Sequence, residues 1–76
     1  MPTVLRLHGL RFVIYPNDHS PAHVHVLGPG WSVIVNLVDL TLREVQGASR
    51  RDAAQVRELA ATHAELLRAA WRSIHG

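Results

Sequence analysis

The chain has no cysteine, and it has no lysine, since all eight of its basic residues are arginine. Without cysteine it can form neither a disulfide nor a thiolate metal site, which removes the staples of small secreted domains and suits a reducing cytoplasm. Aromatic residues are also scarce, with one Phe, one Tyr and two Trp, so aliphatic side chains must supply most of any core. No apolar run approaches the roughly eighteen residues that a bilayer span requires. The start, Met1-Pro2-Thr3-Val4, has no charged region leading into an apolar stretch and a cleavage site. These absences predict a soluble, cytoplasmic protein that does not associate with membranes.

What is present is a short chain of 76 residues, 47% apolar, whose apolar positions fall in periodic segments. That length makes one domain, 1–76, with room for one sheet and one or two helices. The net charge of +2 is modest. Genomic base composition accounts most simply for the missing lysine. The planar guanidinium fork binds phosphate and carboxylate bidentately, however, so the charge permits an RNA or DNA partner without demanding one.

Periodicity divides the chain at about residue 47. Val4, Leu5 and Leu7, then Leu10, Phe12, Val13, Ile14 and Tyr15, form two apolar runs around His8-Gly9, a hairpin signal. Pro16-Asn17-Asp18 marks a turn. His23-Val24-His25-Val26-Leu27 reads as a third strand ending at Gly28-Pro29-Gly30, Trp31–Leu37 as a fourth, and Val38–Val45 as a shorter fifth. The expectation is therefore an α+β domain with a four- to five-stranded antiparallel sheet over 1–47.

From Ser49 the period changes to that of a helix, with Ser49 and Asp52 as N-cap and N3 of a variant capping box. Ala53, Val56, Ala60, Leu67, Ala70 and Ile74 recur in threes and fours, widened by Leu59, Leu66 and Trp71. Region 48–76 is thus expected to be one long, at most gently bent, C-terminal helix packed across one sheet face. A second capping-box pattern, Thr62-His63-Ala64-Glu65, marks a place where it could break, but the apolar phase runs through without a slip. Such a helix would overhang the sheet, and its exposed seam would form a homodimer contact.

Chemistry concentrates in Asn17-Asp18-His19-Ser20-Pro21-Ala22-His23-Val24-His25-Val26, which holds three of the six histidines. Strand alternation sends His23 and His25 to one face, about 7 Å apart, and Val24 and Val26 to the core face. This places both histidines on an outward or cleft-facing side. His19 lies in a loop that Pro21 stiffens and that can fold back over the strand. His19, His23 and His25, with Asp18 as fourth or supporting ligand, form a candidate site for zinc, nickel or another divalent ion. The same histidines could instead cleave RNA by general acid–base catalysis, with Arg6 or Arg11 stabilising the phosphorane-like charge. The plain alternative is a polar strand edge and loop.

Other residues carry weaker signals. Arg50, Arg57, Arg68 and Arg72 project from one side of the helix opposite the apolar stripe, a candidate phosphate-tracking ridge that Glu58 and Glu65 dilute. His63 falls on the apolar stripe as a hydrogen-bonded core residue, His8 in a turn, and His75 at a frayed end. Trp31 and Trp71 read as core anchors.

Taken together, Met1-Pro2-Thr3-Val4, Gly9-Leu10-Arg11-Phe12, the Asn17 to Val26 stretch, Gly47-Ala48-Ser49-Arg50 and a helix with Leu66, Leu67 and Trp71 resemble the bacterial DUF4160 family along essentially the whole chain. That family usually has two prolines before its His-Val-His-Val strand, so Ala22 is a departure, and the glycine-rich turn is shorter here. The resemblance implies a small α+β domain, often encoded beside another small domain, and hence a toxin-antitoxin-type module with a protein partner; it implies no activity. A histidine-triad hydrolase would need a third alternating histidine where this chain has Leu27. The first functional expectation is a module whose histidine cluster binds a divalent metal or a phosphate group. A non-catalytic inhibitor acting through its helix or sheet edge is second, and a ribonuclease third.

Overall fold

Tight turns set the register of the sheet. His8 (φ 51°) and Gly9 (φ 75°) both occupy the left-handed region, the type I′ geometry whose twist matches that of the strands it joins. β1 (Thr3–Leu7) therefore folds directly back onto β2 (Leu10–Val13). Pro29 and Gly30, the latter at φ 76°, join β3 (His23–Gly28) to β4 (Trp31–Asn36), proline at the first corner and a positive φ at the second being the type II arrangement. A longer turn leads to β5 (Leu42–Gln46), where Asp39 accepts from the Thr41 hydroxyl at 2.7 Å and the Thr41 N–H at 3.1 Å. These bonds hold the Asp39 carboxyl below the ordinary carboxylate range. The five strands run β1-β2-β3-β4-β5 as a meander, antiparallel throughout, so the expected antiparallel sheet has its fifth strand. The computed structural model describes residues 3–76; Met1 and Pro2, which open the motif Met1-Pro2-Thr3-Val4, lie outside the described residues.

Alternation assigns the faces. Val26 lies between Phe12 and Val33, Val24 lies opposite Val35, and all five are fully buried on the side where the helices pack. The Trp31 ring closes one end of this core by lying on Gly28, where any Cβ would overlap the indole.

Ser49 caps α1 (Arg50–Thr62), its Oγ accepting from the Asp52 N–H at 3.0 Å. The expectation of one long helix is corrected here: α1 ends at Thr62, His63 leaves helical geometry at φ −109° and ψ 21°, and α2 (Ala64–His75) follows directly. Length explains the break. A 25-residue helix would run about 37 Å, well past a six-residue strand of about 20 Å, whereas twelve or thirteen residues run about 18–20 Å and match it. Local bonds make the bend, since the Thr62 hydroxyl donates to Glu58 O at 3.0 Å and the His63 ring and backbone nitrogens both address Leu59 O. Buried residues nevertheless continue in phase across it, at Ala53, Val56 and Ala60, then Ala64, Leu67 and Trp71. Among the described residues no helix is long and apolar enough to cross a membrane.

Candidate metal centre

The loop from β2 to β3 brings a carboxylate over the strand. Tyr15-Pro16-Asn17-Asp18 closes a turn in which Asp18 N–H donates to Tyr15 O at 3.0 Å and Asp18 Oδ2 accepts from Tyr15 N–H at 3.2 Å. That reciprocal pair fixes the Asp18 side chain. After the cis Ser20–Pro21 bond, Pro21 O accepts from His23 Nδ1 at 2.8 Å.

The two histidines then converge on one atom. Asp18 Oδ2 lies 3.5 Å from His23 Nε2 and 3.1 Å from His25 Nε2, and the three residues each offer a ligand atom within 4.8 Å of the others. Donors about 2.0–2.2 Å from a tetrahedral ion are separated from one another by about 3.3–3.6 Å, so both contacts to Asp18 fall near coordination spacing. The His25 side chain retains 22% exposure and His23 only 6%, which puts the open side of the cluster at His25. His23 departs here from its expected outward placement: the Trp71 ring of α2, with centroids 5.3 Å apart, covers it, while Tyr15 stands edge-on to His25 at 4.8 Å.

His19, the third histidine of the stretch, is exposed and stands outside this group. Of the others, His8 forms the first hairpin turn and His63 donates to Leu59 O as a half-buried helix cap. His75 stacks on Trp71 at 3.8 Å, with Nδ1–H donating to Trp71 O and Nε2 buried without a partner.

The arginines divide into two uses. Arg68 Nε donates to Leu37 O at 2.7 Å and Arg57 Nε to Leu40 O at 3.1 Å, so both helix arginines clamp the turn between β4 and β5. Arg50 and Arg72 are exposed on the helices. Arg6 and Arg11 face each other across β1 and β2. Sequence reasoning missed Tyr15 and Pro21 as site residues, because their polar contacts to the cluster come from backbone atoms, which leave no residue-type signal, and the Tyr15 ring meets His25 only in the folded sheet. It also missed Arg43, which donates to Asn36 Oδ1 at 2.9 Å.

A five-stranded antiparallel meander backed by two short helices, with an Asp-His-His cluster at the mouth of its third strand, defines a small α+β domain with a candidate metal centre. The chain belongs to the family described as Domain of unknown function (DUF4160), whose family model matches residues 9–72 and so spans β2 to β5, the cluster, α1 and most of α2. No curated protein and no solved structure matches it.

Proposed function

We propose that Asp18, His23 and His25 bind a divalent metal ion, zinc and nickel being the ions best suited to two imidazoles and a carboxylate. The observation that carries this reading is the hydrogen bond from His23 Nδ1 to Pro21 O. A carbonyl can only accept, so Nδ1 donates to it, and Nε2 is the ring atom left to face the Asp18 carboxylate. Nε2 and the carboxylate oxygen, 3.5 Å apart, take a positive charge between them, either a proton on Nε2 or a metal ion. A metal ion accounts for the ring's orientation as well, since a carbonyl acceptor behind a ligating imidazole is the usual way such a ring is held. Three protein ligands leave a fourth position open to an exogenous group.

Calorimetric titration with zinc and with nickel tests this. The intact protein should give one equivalent of metal-dependent heat at neutral pH, and the His23→Ala/His25→Ala double variant none. If the intact protein gives none, the cluster is an imidazolium–carboxylate pair and the reading falls.

A second reading, a non-catalytic module that acts on a protein partner within a toxin-antitoxin-type pair, draws on β5. All five residues of this edge strand are exposed, Leu42 and Val45 among them, and a groove of about 610 Å³ runs beside it to Arg50, Ala54 and Arg57 of α1. Growth arrest on expression that survives the histidine double variant, but not Leu42→Asp with Val45→Asp, would place the activity on this edge.

A further inference from the structure

We infer that β5 is the pairing edge of a symmetric dimer, in which β5 of a second copy continues the sheet as its antiparallel neighbour. The inference draws on the same edge as the second reading above and does not depend on the metal centre. β5 ends the strand order and is bonded only to β4, so its outward backbone N–H and C=O groups have no strand to meet. The opposite edge of the sheet differs. Leu5 and Leu7 of β1 pack against the core, whereas Leu42 and Val45 of β5 remain 36% and 43% exposed.

A bulge makes this edge complementary to itself. Val45 lies opposite Val33 and Leu42 opposite Val35, and the register slips between Ile34 and Val35 so that Arg43 is the extra residue. Residues opposite each other share a face, which puts both Leu42 and Val45 on the helix side with Val33 and Val35. Glu44, opposite Ile34, falls on the other face. A two-fold axis through the sheet between Arg43 and Glu44 keeps the helix sides of both copies together. It sets Leu42 of each copy against Val45 of the other, and Arg43 against Glu44. Apolar side chains meet on the helix side, and opposite charges lie across from each other. A shift of one residue either way would set Glu44 against Glu44 or Arg43 against Arg43, and would pair Leu42 with Gln46 or Glu44. Arg43 keeps its Nε on Asn36 Oδ1 at 2.9 Å, so the pairing asks of it a positive charge one strand away from Glu44 rather than a new bond. Beside Leu42 the groove of about 610 Å³ is lined on α1 by Ala53, Ala54 and Ala61. These small side chains leave room for Val45 of the second copy.

Sedimentation equilibrium over about 5–500 µM tests the inference, since a short edge contact falls at the weak end of specific interfaces. The intact protein should show a monomer–dimer equilibrium in that range, and Leu42→Asp with Val45→Asp should stay monomeric. Leu66→Asp, at the exposed apolar position of α2, should associate like the intact protein. Glu44→Arg and Arg43→Glu should each associate about tenfold more weakly alone, because like charges then face each other twice. Mixed in equal amounts, those two variants should regain the affinity of the intact protein. An intact protein that stays monomeric overturns the inference and leaves the second reading to the growth-arrest experiment. Association that the edge variants do not change, or that Leu66→Asp abolishes, overturns it by moving the contact elsewhere. If Leu42→Asp with Val45→Asp loses its folded circular dichroism, the two charge variants and their mixture decide, and a mixture that regains nothing overturns the inference.

Discussion

His23 and His25 address the same atom: the Nε2 of each faces Asp18 Oδ2, at 3.5 and 3.1 Å. Strand alternation alone puts the two rings on one face, but it leaves their nitrogens undirected. The direction comes from outside the strand, from Pro21 O behind His23 and from a turn that locks Asp18 to the Tyr15 backbone. The centre is therefore a joint product of one strand and the loop that precedes it.

Asp18→Asn separates those two contributions. The amide oxygen can still accept from Tyr15 N–H, so the turn should survive with a stability loss below about 1 kcal/mol. The anionic ligand is gone, and zinc affinity should fall by about tenfold or more. Urea denaturation read beside calorimetry checks both halves, and unchanged zinc affinity would remove Asp18 from the coordination set.

His19→Ala should leave zinc affinity within about twofold of the intact protein and stability within about 0.5 kcal/mol, the range of an exposed site that makes no specific contact. The expected contrast with His23→Ala is the check on a two-histidine rather than three-histidine centre. A loss for His19→Ala as large as that for His23→Ala would show that the loop closes over the ion.

The division between what was legible in the sequence and what was not follows from range. Val24 and Val26 alternating with His23 and His25 gave away the strand and both faces, because a period of two is a local property. Asp18 stood out beside the histidines for its chemistry, though nothing in the residue string says that its carboxylate, rather than the His19 ring, reaches the strand. The capping-box pattern at Thr62 marks the place of the break at His63, but the burial phase passes through it unchanged and so favours one helix, and the limit on helix length is set by a sheet far away in the chain. The arginine contacts were illegible for a similar reason: helical projection groups Arg57 and Arg68, but only the tertiary fold brings Leu40 O and Leu37 O to their Nε atoms.

Arg68 makes the stronger of those clamps, with Nε on Leu37 O at 2.7 Å and Nη2 on Val38 O at 3.4 Å. A charged donor on a carbonyl contributes about 1.5–3 kcal/mol when buried, and the half-exposed setting of Arg68 lowers the expected cost of Arg68→Ala to about 1–2 kcal/mol. Arg68→Lys should recover less than half of that, since a point charge cannot address two successive carbonyls as the planar fork does. Denaturant midpoints of the three proteins measure the series. Equal midpoints for Arg68→Lys and the intact protein would reduce the clamp to simple charge attraction.

Gly28→Ala is the most direct test of how the sheet end is packed. Gly28 has an ordinary backbone conformation, so the substitution costs nothing in φ, and a strand interior if anything favours alanine. The obstacle is the Trp31 ring, whose Cε2 and Cζ2 occupy the space a Cβ would need. Trp31 pairs with Gly28 across a two-residue turn that leaves little room for its backbone to retreat, so the ring must swing off the core edge instead. Overpacking of this kind costs about 1–3 kcal/mol, which for a domain of this size is a fall in Tm of about 4–8 °C per kcal/mol. The displaced indole should also show a red-shifted fluorescence as water reaches it. The metal centre lies at the other end of β3, so zinc affinity should not change. A stabilised Gly28→Ala with unshifted fluorescence would mean that Trp31 does not rest on this glycine in solution.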